Sequence, residues 1–454
     1  MKRAALRRHC TATSILHPSE ETCPLNIQII SIRIFVTVIL VMTVTCRPIS
    51  AESLNLTLPQ AVGLALQHNG ELKSFRQEQE AYEAAMIRAG LPPNPFIDLE
   101  GSTGALTGSR NESSLSVGMY QEFIIGSKIN KRSAVAKHEL DIYRWQLADR
   151  ERLLRVEVMI AFYDALLSKE RLALSERSIT INRQLLEVAK ERLNAGDIPE
   201  LEANIVKVEL ARSESCRIET AKTLLHSQAR LQTLMGLPSN RPTLEGTLDS
   251  GSYSGMTLAD LQSTAQANRP DISALKAMHE RNITAVNLNQ AERIPNLTAG
   301  LAFRRTTTSM TIGGIEGNET AYTIGIRLSM PIPVFDRNQA GIQEAKARQN
   351  SSDTRLISAV TTVEQEVEIT YNSFQYATSV LDLYKTGIIP QLEENLKLVQ
   401  EAYRLGEVGI LAVIQEQKKF YEVSDGYLAA RHARQIALAK LESATASELR
   451  RGEK

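Results

Sequence analysis

From Ser127 to Ala195 the sequence holds neither glycine nor proline, 69 residues in succession. The run is rich in Ala, Leu, Glu, Arg and Lys, all good helix formers. Its apolar residues recur at helical spacing: Leu147, Leu154, Val158, Phe162, Leu166, Leu172, Ile179, Leu186 and Leu193. The pattern predicts one helix over 127–195. At about 1.5 Å per residue it would measure roughly 100 Å, against a usual globular helix of about 11–12 residues. No ordinary domain core accommodates a rod of that length. Gly196-Asp197-Ile198-Pro199 ends it, and a second breaker-free run over 200–235 returns for about 54 Å.

The plan occurs twice. Leu56-Thr57-Leu58-Pro59 is echoed by Met256-Thr257-Leu258-Ala259, and Pro93-Asn94 by Pro295-Asn296. Ser116-Val117-Gly118-Met119 is echoed by Thr323-Ile324-Gly325-Ile326, and Arg192-Leu193-Asn194-Ala195-Gly196 by Tyr403-Arg404-Leu405-Gly406. Four echoes in the same order indicate a tandem duplication. Repeat 1 covers 52–236, a linker 237–256, repeat 2 257–447, and a polar tail 448–454. Each repeat opens with helical periodicity (Leu58 to Ala89 in the first), then two strand-like segments, then long helices. The predicted helices of repeat 2 are 338–386, 391–405 and 410–447, with breaks at Gly387-Ile388-Ile389-Pro390 and at Gly406–Gly409.

The strands are expected near 96–105, 113–124, 297–307 and 320–330. Each alternates with period two. Ile97 and Leu99 oppose Asp98 and Glu100; Leu115 and Val117 oppose Ser116 and Gly118; Leu301 and Phe303 oppose Ala302 and Arg304; Ile324 and Ile326 oppose Gly325 and Arg327. The joining segments, Thr107 to Glu112 and Thr306 to Glu319, are polar and read as loops. A half-buried soluble sheet and a membrane sheet both show this alternation, but segments of about 9–11 residues also suit a tilted bilayer crossing. Four strands cannot close a membrane barrel alone, and an open edge cannot sit in lipid. Membrane strands here would therefore require several chains to share one barrel.

The N-terminus reads as a secretory signal over 1–51. Lys2, Arg3, Arg7, Arg8 and Arg33 precede a 13-residue, mostly apolar run from Ile34 to Cys46, and Ile49-Ser50-Ala51 offers small residues for cleavage. Cys46 adds a second reading, a lipid-modified cysteine after a signal ending at 45, although Val44-Thr45 suits that chemistry poorly. Charge is balanced, with 52 Lys+Arg against 52 Asp+Glu, and no basic patch points to nucleic acid. The seven histidines are scattered, and Cys216 is the sole cysteine of the body. No metal-site spacing, phosphate loop or nucleophile motif is present, so neither an enzyme nor a resident cofactor or metal is expected.

On these residues the chain resembles the TolC family of outer-membrane efflux proteins, over roughly Leu56 to Ser447. The carriers are the duplicated helix–strand–strand–helix–turn–helix plan, Leu56-Thr57-Leu58, Arg269-Pro270-Asp271-Ile272, Leu328-Ser329-Met330-Pro331-Ile332-Pro333-Val334-Phe335-Asp336, and the two glycine turns. Within that family it is most similar to the outer components of heavy-metal resistance–nodulation–division pumps, of cobalt–zinc–cadmium or copper–silver type. The resemblance implies an α+β membrane protein in which a homotrimer builds one 12-stranded outer-membrane barrel, four strands per chain, continuous with a long periplasmic helical barrel. It implies a periplasmic adaptor (a membrane fusion protein) and an inner-membrane pump as partners, with lipid around the strands. Leu115, Val117, Leu301, Ile324 and Ile326 would face lipid. Gly196, Asp197, Ile198, Gly406, Val408, Gly409 and Ile410 would form the periplasmic tip, with Ile198, Val408 and Ile410 exposed to the adaptor. Glu202, Gln415 and Glu416 would narrow the tunnel, while the acidic position expected in the second turn falls on Ala412. Alternatives are a duct for drugs or for type I protein secretion and, in another class, a periplasmic coiled-coil adaptor.

Overall fold

The computed structural model describes residues 55–237, 243–249, 252–253 and 255–451. The signal segment with Cys46, residues 52–54, the linker positions 238–242, 250–251 and 254, and residues 452–454 lie outside the described residues. Repeat 1 contains α1 (Leu58–His68), α2 (Gly70–Ala89), β1 (Phe96–Thr103), β2 (Ser113–Phe123), α3 (Lys128–Ala195) and α4 (Glu200–Met235). Repeat 2 contains α5 (Leu258–Asn268), α6 (Pro270–Ala291), β3 (Leu297–Ile312), β4 (Ile315–Ser329), α7 (Gln339–Leu383), a π-helical turn over Tyr384–Ile388, α8 (Ile389–Arg404) and α9 (Ile410–Thr445).

The structure departs from the sequence reading at three places. The periodicity from Leu58 to Ala89 is two helices, because Asn69 leaves helical geometry and its side chain accepts from Leu72 N at 3.0 Å, capping α2. The predicted break at Gly387–Pro390 is a π turn through which the helix continues; Pro390, which has no N–H to donate, sits at the start of α8. The polar segment Thr306 to Glu319 is strand rather than loop. β3 and β4 continue to Ile312 and Ile315 and close on Gly313-Gly314, at φ 62° and 87°. Two consecutive residues at positive φ make the two-residue hairpin turn that matches strand twist, and the β-branched threonines before it suit a strand.

The first turns of α1 and α5 are built alike. Thr57 N donates to Gln60 Oε1 at 3.0 Å; Thr257 N donates to Asp260 Oδ2 at 3.4 Å while Asp260 N donates to Thr257 Oγ1 at 3.3 Å. Each short helix seals one core against the long helices. Ala61, Val62 and Ala65 join Val158, Phe162, Tyr163, Leu166, Leu231 and Met235. Leu261 and Ala265, with Ile272 of α6, join Val363, Val367, Phe374, Leu438 and Leu441. At the second core Arg269, 5% exposed, pairs with Asp271 and Glu366, each at 2.7 Å, and donates to Ala444 O. Burial alone would lower the guanidinium pKa, but the two carboxylates raise it. Burial would likewise raise Asp271, but Arg269 holds that carboxyl below its ordinary value.

Channel wall and tip as the candidate functional site

The four long strands form one antiparallel sheet in the order β1-β2-β3-β4, so β1 and β4 each keep a free edge. Their register stacks the apolar residues in rows: Leu99, Val117, Phe303 and Ile324 in one, Ile97, Met119, Leu301 and Ile326 in the next. This face is bare. Leu115 is 54% exposed, Val117 42%, Leu301 60%, Ile324 80% and Ile326 78%. In a soluble sheet the apolar face would be the covered one. Here Ser116, Gly118 and Tyr120, on the opposite face of β2, are covered instead.

The opposite face is polar and close-fitting. Tyr120 lies flat over two glycines, its own neighbour Gly118 and its cross-strand partner Gly300. A Cβ on Gly118 would come 2.6 Å from Tyr120 Cε2, and one on Gly300 would overlap the same ring. Phe96 stacks on Tyr120 with centroids 5.4 Å apart, and the Arg327 guanidinium lies 5.4 Å from the Tyr120 ring centre. Two rows further along the same face, Arg304 pairs with Glu100 at 3.4 Å.

At the other end of the long helices the two turns are near copies. Gly196 has φ 81° and Gly406 φ 82°, and each ends its helix with the same pair of bonds. Asp197 N donates to Arg192 O at 2.9 Å and Gly196 N to Leu193 O at 3.0 Å; Glu407 N donates to Ala402 O at 2.8 Å and Gly406 N to Tyr403 O at 3.0 Å. This is the left-handed cap that glycine adopts without steric penalty.

Of the residues expected at the tip, Gly196, Asp197, Gly406 and Gly409 are exposed and Val408 is half-buried. The expected exposure of Ile198 and Ile410 is corrected. They are 7% and 2% exposed because they fill the tip's own core with Leu186, Ala189, Val206, Tyr403 and Val413, drawn from both hairpins. The exposed apolar residues there are Leu201, Leu405 and Leu411, at 68%, 63% and 61%, which the sequence reading missed. Glu202 and Glu416 are half-buried and Gln415 exposed.

Arg192 was missed as well. Its guanidinium donates to Tyr403 O at 3.0 Å and covers the Tyr403 ring at 4.9 Å, so one side chain of the first hairpin holds the second turn. The Tyr403 hydroxyl is buried with no hydrogen-bond partner. Burial pushes its pKa up; Arg192 opposes that shift and Glu202 adds to it. Among the described residues no cluster of three His, Cys, Asp or Glu could hold a metal ion.

A sheet that turns its apolar face outward and leaves both edges unpaired, joined to helical hairpins of this length, is a piece of a membrane channel wall. The chain belongs to the outer membrane efflux protein family, whose pattern matches residues 61–237 and 261–447. It is accordingly an outer-membrane channel component and not an enzyme. It is 23% identical over 379 residues to the cobalt-zinc-cadmium resistance protein CzcC of Cupriavidus metallidurans, covering 82% of this chain and 86% of that one. It is 26% identical over 279 residues to the nickel-cobalt-cadmium resistance protein NccC of Alcaligenes xylosoxydans xylosoxydans, covering 60% of each. The fold superposes on the crystal structure of CusC with a TM-score of 0.71 at 16% identity, over 86% of this chain and 92% of that one. It superposes on the open-state MtrE outer membrane channel of Neisseria gonorrhoeae with a TM-score of 0.68 at 20% identity, over 90% and 95%.

Proposed function

We propose that three copies of this chain form the outer-membrane exit duct of a tripartite pump that exports heavy-metal cations. The observation that carries the reading is the inverted sheet with two free edges. Its bare apolar rows match the lipid-facing band of a membrane barrel, and lipid tolerates no open edge. Three sheets of four strands supply twelve, enough to close a barrel around a water-filled lumen. Further unpartnered apolar residues support association along the helices. Ile369, Tyr376 and Leu383 recur every seven residues on α7, and Leu201 and Val208 are spaced alike on α4; all five are exposed.

The metal assignment rests on the relatives named for cobalt, zinc, cadmium and nickel resistance. A periplasmic adaptor would dock at the tip on Leu201, Leu405 and Leu411 beside Gly196, Asp197, Gly406, Val408 and Gly409. Ile198 and Ile410 would support that surface from beneath. Glu202, Gln415 and Glu416 would line the constriction, where carboxylates favour cations. An inner-membrane pump of the resistance–nodulation–division class would supply the driving force.

The test is a chromosomal deletion complemented by variants. Loss of the protein should sensitise cells to cobalt, zinc or cadmium, and outer-membrane extracts should contain heat-modifiable, SDS-resistant trimers. Gly196→Pro or Gly406→Pro should leave trimers in the outer membrane and abolish export, and Glu202→Ala should alter single-channel conductance or cation block. Unchanged metal tolerance with altered drug tolerance would refute the metal assignment, and a stable detergent-purified monomer with intact β signal would refute the duct.

A further inference from the structure

The two free edges and the internal duplication together specify how one copy meets the next. We infer that β4 pairs antiparallel with β1 of a second copy in one particular register, with Leu328 opposite Leu99, Met330 opposite Ile97 and Arg327 opposite Glu100. The inference rests on the trimeric reading and adds the residue-level pairing.

Parity is the first constraint. The apolar rows of β4 hold Ile324, Ile326 and Leu328, and those of β1 hold Ile97 and Leu99. A shift of one residue would turn one strand's apolar side chains into the lumen. Every admissible register therefore sets an even-numbered residue of β4 opposite an odd-numbered residue of β1, and candidates differ by steps of two.

The repeat selects among them. One row of the sheet runs Asp98, Gly118, Ala302, Gly325. The Pro93-Asn94 and Pro295-Asn296 echo makes Gly300 the counterpart of Asp98. The row, however, passes through Ala302, two residues beyond that counterpart. Counted along β1 and β3, crossing from the first hairpin to the second advances the row by two residues; counted by the Gly118 and Gly325 echo of β2 and β4 it does not advance, and only the advancing count is compatible with closure. An equal step across the junction between copies brings Gly325 opposite Ser102, and Arg327, Leu328 and Met330 opposite Glu100, Leu99 and Ile97. The row then advances four residues per copy and twelve around three copies. With about 3.3 Å per residue and about 4.8 Å between strands, that stagger tilts the strands about 35°, inside the typical 35–45° of closed barrels. A register with no advance, Ile324 opposite Leu99, would set the strands parallel to the barrel axis, which closure does not permit.

The side chains agree with this choice. The lumen face of β1 carries Asp98 and Glu100, and the lumen face of β4 carries Arg327. Glu100 already accepts from Arg304 at 3.4 Å, and a carboxylate has capacity for a second guanidinium. Outside, Ile97 and Leu99 continue the exposed rows of Met330 and Leu328.

Cysteine pairs in a Cys216→Ser background test the register. Cβ atoms must approach to about 3.5–4.5 Å for a disulfide, so only directly opposed positions should link efficiently. Leu99→Cys with Leu328→Cys, and on the lumen face Glu100→Cys with Arg327→Cys, should convert most of the protein to covalent dimers and trimers on non-reducing gels after heating. Leu99→Cys with Met330→Cys, or with Ile324→Cys, should not. Preferential linkage in either of those pairs overturns the register, as does a persistent SDS-resistant trimer with no linkage in any pair. Absence of any oligomer in the parent background overturns the trimeric reading itself.

Discussion

Replacing Arg192 with alanine should loosen the periplasmic tip without unfolding the protein. The guanidinium makes one charge-assisted hydrogen bond to Tyr403 O and one cation–π contact with the Tyr403 ring. A hydrogen bond to a charged group is worth about 1.5–3 kcal/mol, and a partly desolvated cation–π contact about 0.5–2 kcal/mol. Because Arg192 is half-buried, the lower part of each range applies, and the clamp contributes about 2–3 kcal/mol. With about 1.4 kcal/mol per tenfold change in an equilibrium constant, its loss should raise the population with hairpins parted by roughly 30–140-fold. The tip core of Leu186, Ala189, Ile198, Val206 and Val413 remains, so trimers should persist in the outer membrane. The assay is single-channel conductance in planar bilayers, alongside entry of large antibiotics into intact cells. Arg192→Ala should open more often and admit such antibiotics. Arg192→Lys retains the charge but not the planar fork and should fall between. Closed-state conductance and permeability equal to the parent in Arg192→Ala would refute the clamp.

Ile326→Arg should cost about 2–4 kcal/mol and reduce heat-modifiable trimers, whereas Gly325→Arg, on the lumen face, should leave them intact and change conductance; equal tolerance would refute the assigned faces. Gly118→Ala should impair assembly because its Cβ meets the Tyr120 ring, and adding Tyr120→Ala should restore trimer yield; a single variant that assembles normally would refute the close-packing argument. Arg269→Ala should destabilise the second helical core by about 1.5–3 kcal/mol, because it removes charge-assisted hydrogen bonds to Asp271 and Glu366, whose carboxylates keep partial access to water, as read by denaturant midpoint. Asp271 titrates below its ordinary value in the folded state, so its contribution is present above the unfolded carboxyl pKa of about 4 and fades as pH falls through the lower folded value. In Arg269→Ala that acid-side loss should shrink or disappear, since burial then favours the protonated Asp271 carboxyl; an acid-side loss as large as the parent's would refute the linkage.

The features legible in the sequence are those set by local periodicity. The long helical runs needed only the absence of glycine and proline, and the strand faces needed only alternation. The extension of β3 and β4 escaped because Thr306 to Thr308 is polar enough to read as loop. Gly313-Gly314 between alternating flanks was the signal that could have revealed it. Burial at the turns was not legible, because Ile198 is covered by residues two hundred positions away in the other hairpin. Arg192 offered no local cue either, since its partner Tyr403 is 211 residues distant. The tip core and its clamp exist only once the two repeats lie side by side, and no window along one repeat contains them.

The π turn at Tyr384–Ile388 has a consequence for phase. Along α7 the buried positions Val367, Phe374 and Leu381 recur every seven residues. Continued without interruption, that rhythm would reach positions 395 and 402, yet the buried pair seven residues apart in α8 is Leu396 and Tyr403, with Leu392 buried one turn before. The wider turn absorbs one extra residue, which in a regular helix would rotate everything beyond it by about 100°. It acts as a vernier between two stretches of one rod, and it returns Leu396 and Tyr403 to the face that Phe374 occupies above. Deleting one residue from a regular turn nearby would rotate Tyr403 away from Arg192, whereas deleting one from within Tyr384–Ile388 would convert the wide turn to an ordinary one and leave Tyr403 on the same face. The stagger between the two rhythms, and with it the meeting of the two hairpins at the tip, is therefore held by five residues that contribute no buried side chain of their own.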